Sequence, residues 1–188
     1  MSQYRLLTLP WIVFIVVWAV LSLTVKRTVQ RAPPGWRGIH LVVTFFGYVV
    51  LFATDYRLGP LDAYWTHATL APFVIGFALT VTGITFAIWA RLSIGRNWSS
   101  SITIKQDHQL IQTGPYSLVR HPIYSGIILA SLGTALAFRQ VRGLIALPII
   151  VAALWYKARI EERLMLEHFG PEYECYRRET KALVPFVL

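Results

Sequence analysis

Charge is scarce in this chain, and acid scarcer still. Only 14% of the 188 residues are charged, and nine Asp and Glu stand against eighteen Lys and Arg. With 55% hydrophobic residues and a mean hydropathy of +0.52, the composition excludes an ordinary water-soluble domain and indicates an integral membrane protein. Cysteine occurs once, as Cys175, so neither an intrachain disulfide nor a multi-cysteine metal site is available, and no metal site is expected. Its position between Tyr173 and Tyr176 suits a packing residue. No basic cluster precedes the first apolar run and no small-residue cleavage pattern follows it, so the run is read as a mature helix rather than a signal peptide. Repeats, low-complexity tracts and a glycine-rich dinucleotide fingerprint are all missing. The formal charge of +9 does not imply nucleic acid, because juxtamembrane Lys and Arg are accounted for by anionic lipid headgroups.

What the chain does have is apolar runs. Residues 6–25 carry no charge, and twenty helical residues at about 1.5 Å each span the roughly 30 Å hydrocarbon core. Lys26 and Arg27 then read as a stop at the interface. Residues 39–54 form a shorter run flanked by the interfacial aromatics Trp36 and Tyr56. Residues 70–90 form the clearest span. Residues 122–138 begin with Pro122, harmless in a first helical turn, and run uncharged to Arg139. Residues 144–156 complete the set, with Pro148 expected to kink that helix. The linker at residues 139–143 predicts a tight hairpin of antiparallel helices. The expected fold is therefore all-α and integral to the membrane, with five transmembrane helices.

Five spans place the two termini on opposite sides. Fourteen of the eighteen Lys and Arg fall on the first and third loops and the C-terminal segment; only Arg5, Arg57, Arg139 and Arg142 fall on the other side. The positive-inside tendency then puts the N-terminus outside and the C-terminus in the cytoplasm. Two connected parts emerge: residues 1–90, with helices one to three, and residues 91–188, with a polar loop, the hairpin and a tail. The third loop, residues 91–120, is long for a compact membrane protein. It contains Asn97-Trp98-Ser99-Ser100-Ser101, a strand-like stretch at 102–104 and a turn at Thr113-Gly114-Pro115-Tyr116.

Polar chemistry concentrates at two places on the cytoplasmic rim. In Arg120-His121-Pro122-Ile123-Tyr124, Pro122 restricts His121 to an extended conformation beside a helix start, where free N–H groups and Arg120 favour a carboxylate or phosphate. An interfacial arginine reaching for headgroups, with a histidine capping the turn, explains the same residues. Glu161 and Glu162 follow Lys157 and Arg159 on the extension of the fifth helix. They read either as a solvated face with a Lys157–Glu161 pair, or as a carboxylate for ribose or polyol hydroxyls with Arg159 or Arg163 facing an anion. Tyr156, Phe169, Tyr173 and Tyr176 can supply an apolar wall.

His108-Gln109-Leu110-Ile111, Gly114, Tyr116, the RHPIYSG run at 120–126, the hairpin, Glu161-Glu162, His168-Phe169-Gly170, Tyr173, Tyr176 and Pro185-Phe186 together resemble the isoprenylcysteine carboxyl methyltransferase family. The resemblance covers residues 95–188, and the wider superfamily includes phospholipid N-methyltransferases and, more distantly, membrane sterol reductases. It implies S-adenosyl-L-methionine bound in a cytoplasmic pocket formed by the third loop, the hairpin and the tail. By position, His108, Gln109, Leu110, Ile111, Tyr116, His121, Pro122, Ile123 and Tyr124 would line the cofactor site, and one of Glu161 and Glu162 would bind the cofactor. A basic residue of the fifth helix would hold the acceptor carboxylate. Arg159 is the choice, with Lys157 and Arg163 open, and Arg120 is the second residue assigned to catalysis.

Methylating a carboxylate is chiefly a matter of alignment and of keeping water out. The implied acceptor is a prenylated cysteine or a similar lipid-like molecule entering from the bilayer; an amine acceptor would first have to lose a proton, with His121 as the available base. A phospholipid or small-thiol methyltransferase, a nicotinamide-dependent membrane lipid reductase and a non-catalytic scaffold stay open as alternatives.

Overall fold

A computed structural model describes residues 2–23, 28–31, 36–54, 56–67, 69–98, 103–105 and 109–185. Lys26, Arg27, Ser99 to Ser101, His108 and Phe186, all singled out above, lie outside the described residues. The elements run α1 (Ser2–Ser22), β1 (Thr28–Arg31), α2 (Trp36–Phe52), α3 (Leu70–Ile94), β2 (Thr103–Lys105), α4 (Pro122–Phe138), α5 (Val141–Phe169) and α6 (Pro171–Glu179). Three helices are long and apolar enough to cross a membrane, over Arg5–Ser22, Leu70–Asn97 and Val141–Phe169; α2 and α4 are apolar but shorter. One feature departs from an all-helical chain: β1 and β2 pair antiparallel, the second strand lying one residue beyond the expected stretch.

The fifth helix is longer than its apolar run. Hydropathy falls at Lys157, but Ala158, Arg159, Glu161, Glu162 and Arg163 are strong helix formers, so the helix continues to Phe169. It stops at Gly170, whose φ of 53° suits glycine. The hairpin connection also shrinks, from five residues to Arg139 and Gln140. Arg139 takes the left-handed conformation, φ 58°, and donates its N–H to the Ala135 carbonyl at 3.1 Å, which ends α4 and lets α5 begin at Val141.

The principal partner of α4 is α3, and that of α5 is α2. Small residues explain the first pairing. A Cβ added at Gly76 would lie 2.4 Å from the Gly133 carbonyl oxygen, and one at Gly126 would lie 2.5 Å from that of Gly83, so the two backbones touch. In lipid, where apolar side chains gain little by leaving their surroundings, such close contact is what holds helices together. Trp11 Nε1 adds a hydrogen bond from α1 to Thr134 Oγ1 at 3.0 Å.

Buried arginines fasten both ends of the bundle. Arg91 donates to the carbonyls of Gly95 (2.7 Å) and Leu21 (2.6 Å), tying the end of α1 to that of α3, with its guanidinium 4.4 Å over the Trp98 ring. Arg142, fully buried at the start of α5, donates to the carbonyls of Ala53 and Tyr56 and to the Asp62 carboxylate.

Candidate active site

Pro122 opens α4, and the residues before it are held by the segment that follows α6. The N–H groups of Arg120 and His121 donate to the carbonyls of Lys181 (2.8 Å) and Ala182 (3.0 Å), and Ser125 Oγ donates to Leu183 at 2.5 Å. His121 has φ −122° but ψ 60°, so it avoids the helical region as its proline neighbour demands without reaching the fully extended conformation expected; the bonds to Lys181 and Ala182 hold it beside the helix start.

Glu161 and Glu162 approach from α5. Successive helical residues point about 100° apart, so the two carboxylates meet different partners. Glu162 accepts from Arg120 Nε at 2.8 Å and Nη2 at 2.5 Å. Arg120 Nη1 donates to the carbonyls of Arg177 and Thr180, so its whole fork is spent on the protein. Glu161 accepts from the Tyr124 hydroxyl at 2.5 Å, with Lys157 Nζ at 4.0 Å, one turn earlier on the same face. His121 bridges the pair: Nδ1 is 3.5 Å from Glu161 Oε2, Nε2 is 3.3 Å from Glu162 Oε1, and the ring stacks on Tyr124 at 5.4 Å. The Glu162 side chain is 8% exposed and locked by Arg120, whereas Glu161 keeps 21% of its side chain open.

Burial by itself pushes the His121 imidazole down, but the hydrogen bonds and charges of Glu161 and Glu162 together outweigh it, and its pKa is raised from 6.5. Unfolded, the imidazole returns to about 6.5. Its contribution to stability is therefore fully present below pH 6.5 and is lost as pH rises through the higher folded value. Thermal unfolding in detergent should show the wild type weakening across that interval and His121→Gln losing the slope. An identical slope in both would refute the protonated bridge.

Tyr116, Tyr173 and Tyr176 line the neighbouring wall, their phenols pushed up by burial and so held neutral; Tyr176 donates to the Tyr116 carbonyl at 2.6 Å. Ile111 packs on a cluster that contains Tyr116, Ile123 and Tyr124; Leu110 is half-buried, Pro122 buried and Gln109 exposed. Arg159 and Arg163 are exposed, Arg159 lying 5.7 Å over the Trp155 ring, and among the described residues neither pairs with the cluster. Two contributors escape sequence reasoning. The carbonyls of Thr180 to Leu183 act through backbone and carry no side-chain signal. His40, buried on α2 with Nδ1 3.3 Å from Thr44 Oγ1, lies where the charges of Lys157 and Glu161 act on it; a lone histidine in an apolar helix was its only mark. Among the described residues no group of three His, Cys, Asp or Glu is arranged to hold a metal ion.

Residues 71–172, which include this cluster, match the family model described as phospholipid methyltransferase. The chain belongs to that family. It is 31% identical over 129 residues to the protein-S-isoprenylcysteine O-methyltransferase of Saccharomyces cerevisiae, covering 65% of this chain and 53% of that one. Protein-S-isoprenylcysteine O-methyltransferase B of Arabidopsis thaliana is 30% identical over 116 residues, 60% of this chain and 58% of that one. The cobalt-zinc-cadmium resistance protein CzcN of Cupriavidus metallidurans is 31% identical over 153 residues, 80% of this chain and 62% of its own. The chain thus spans between about half and three-fifths of the length of these curated relatives. The isoprenylcysteine methyltransferase resemblance read from residues 95–188 agrees with the first two, and with its apolar helices this family member is a multi-pass membrane protein.

Proposed function

We propose that this protein is a membrane methyltransferase that uses S-adenosyl-L-methionine to methylate the carboxylate of a prenylated cysteine or a similar lipid-like acceptor. The observation that carries the reading is the unequal pair of carboxylates: Glu162 is committed to Arg120, while Glu161 stays partly open beside Tyr124, His121 and Lys157. A largely buried carboxylate that keeps about a fifth of its side chain exposed suits ribose hydroxyls, buried tyrosines suit an adenine, and both acidic groups favour a nearby sulfonium, so these residues fit the cofactor. When bound, it supplies an electrophilic methyl group.

Glu161 is then the cofactor-binding carboxylate, with His108, Gln109, Leu110, Ile111, Tyr116, His121, Pro122, Ile123 and Tyr124 as the rest of that site. Lys157 is the cation placed to hold an acceptor carboxylate, ahead of Arg159 on the exposed face. Arg120 works through Glu162 as a positioning residue. In this reading all five apolar helices cross the bilayer, α2 and α4 as short spans, and residues 91–188 form the catalytic unit. The basic-residue count puts the N-terminus outside and the site in the cytoplasm. The acceptor's lipid chain stays between helices while its polar end reaches the site.

A phospholipid amine acceptor, the reading the family's description favours, needs a base, and the carboxylates of Glu161 and Glu162, by favouring the charged imidazole, leave less of His121 in the neutral form that could act as one. Calorimetric titration with S-adenosylhomocysteine, with NADPH as comparison, tests the assignment. Glu161→Gln should weaken S-adenosylhomocysteine binding by about tenfold or more, and Lys157→Ala should raise the KM for a farnesylated cysteine while leaving cofactor binding intact. NADPH binding in place of S-adenosylhomocysteine would move the protein to the reductases.

A further inference from the structure

At the far end of α4 from His121, the chain builds a second polar feature. A cleft of about 590 Å³ is lined by Tyr64, Trp65, Thr66, His67 and Arg139. Its walls are fixed by backbone pairing: the Trp65 N–H donates to the Arg139 carbonyl at 3.1 Å, the Val141 N–H donates to Ala63 at 2.9 Å, and Tyr64 bridges Gln140. α3 begins at Leu70 and α5 at Val141, so two membrane-spanning candidates both present their positive helix ends on this side.

Arg139 decides the ligand class. It is the only non-glycine among the described residues with positive φ, in a turn that glycine would occupy with less strain, and its guanidinium is set 5.2 Å over the Tyr64 ring. Among the described residues it has no carboxylate partner, because the described acid of this face, Asp62, is taken by Arg142 and the Leu58 N–H. A cleft walled by paired backbone, with a guanidinium that has no carboxylate partner among the described residues, beside aromatics of the kind that settle at the headgroup layer, fits a phosphate carried by lipid.

We propose that this cleft binds the phosphate of an anionic phospholipid headgroup, in the leaflet opposite the candidate active site. The placement rests on α3 and α5 crossing the bilayer; the proposal does not depend on the methyl-transfer reading. Native mass spectrometry of the detergent-purified full chain tests it, with phosphatidylglycerol, diacylglycerol of the same acyl chains, and inorganic phosphate as probes. Phosphatidylglycerol should be retained in preference to diacylglycerol, and Arg139→Gly should reduce that retention by about fivefold or more. Glycine accepts the same φ, so unchanged thermal unfolding shows that the variant is folded, and Trp65→Ala gives a second reduction by a different route. Equal retention by Arg139→Gly and the parent would overturn the proposal. Displacement of phosphatidylglycerol by inorganic phosphate would overturn it too, making the cleft a site for free anions.

Discussion

Arg120→Ala is expected to remove about 3–5 kcal/mol of stability and, with it, S-adenosylhomocysteine binding. The side chain gives two hydrogen bonds to one oxygen of Glu162 and two more to carbonyls around α6. Alanine leaves a buried carboxylate facing only His121, and leaves Thr180 without its donor. Arg120→Lys should recover part of the loss, since an ammonium keeps the charge but lacks the planar fork that reaches Glu162 and the carbonyls together. Glu162→Gln should cost less than Arg120→Ala, because the buried guanidinium it leaves keeps an amide oxygen and the carbonyls of Arg177 and Thr180 as acceptors. Detergent thermal unfolding measures the first quantity and calorimetry the second. A loss below about 1 kcal/mol for alanine, the range of exposed ion pairs, would mean that the pair is solvated and does not brace the site.

Gly133→Ala is the second large effect. The added methyl would lie 2.4 Å from the Gly76 carbonyl oxygen, 2.6 Å from the Thr80 nitrogen and 2.7 Å from Thr80 Oγ1. Backbone cannot swing aside as a side chain can, so α3 and α4 must separate along the seam. A cost near 3 kcal/mol, the upper end for overpacking, is expected, although alanine is the better helix former. Gly38→Ala is the matched control: nothing lies within 4 Å of its added methyl, so helix propensity alone should act and the change should be neutral or stabilising. Equal unfolding temperatures for the two variants would show that the seam tolerates a methyl and is not a tight contact.

The sequence made the membrane class and the local chemistry legible and left the packing illegible. Pro122 and the uncharged run behind it mark the bounds of α4, because a first-turn proline and a charge at the other end are local signals. The extension of α5 through Glu161 and Glu162 was legible, but its end at Phe169 was not, because hydropathy reports burial in lipid while helix propensity persists through charged residues. Partner choice was hidden for another reason. The hairpin predicts that α4 lies against α5, but glycines spaced along α3 and α4 give that pair the closer fit, and fit depends on three-dimensional register. At the site, Arg120, His121, Tyr124, Glu161 and Glu162 were all identifiable by type. What separates the two carboxylates is which face of α5 each occupies relative to Arg120 and Tyr124, a relation that exists only once both helices are placed. The sequence favoured Arg159 and left Lys157 and Arg163 open; Lys157 is the one beside the cluster, 4.0 Å from Glu161, while Arg159 is exposed.

The backbone contacts of residues 120–125 with residues 181–183 also set an order of events during synthesis. Some sixty residues, including the whole α4–α5 hairpin, separate the partners. A ribosome must deliver that hairpin to the bilayer while Arg120 and His121 still lack the strand of chain that will hold them. Until residue 183 has emerged, the charged cluster is exposed to water and lipid headgroups, and a nascent chain stalled short of that point carries every acidic and basic group of the site without a frame to hold them. Completion of the frame around Arg120 and His121 is thus a late step in biogenesis.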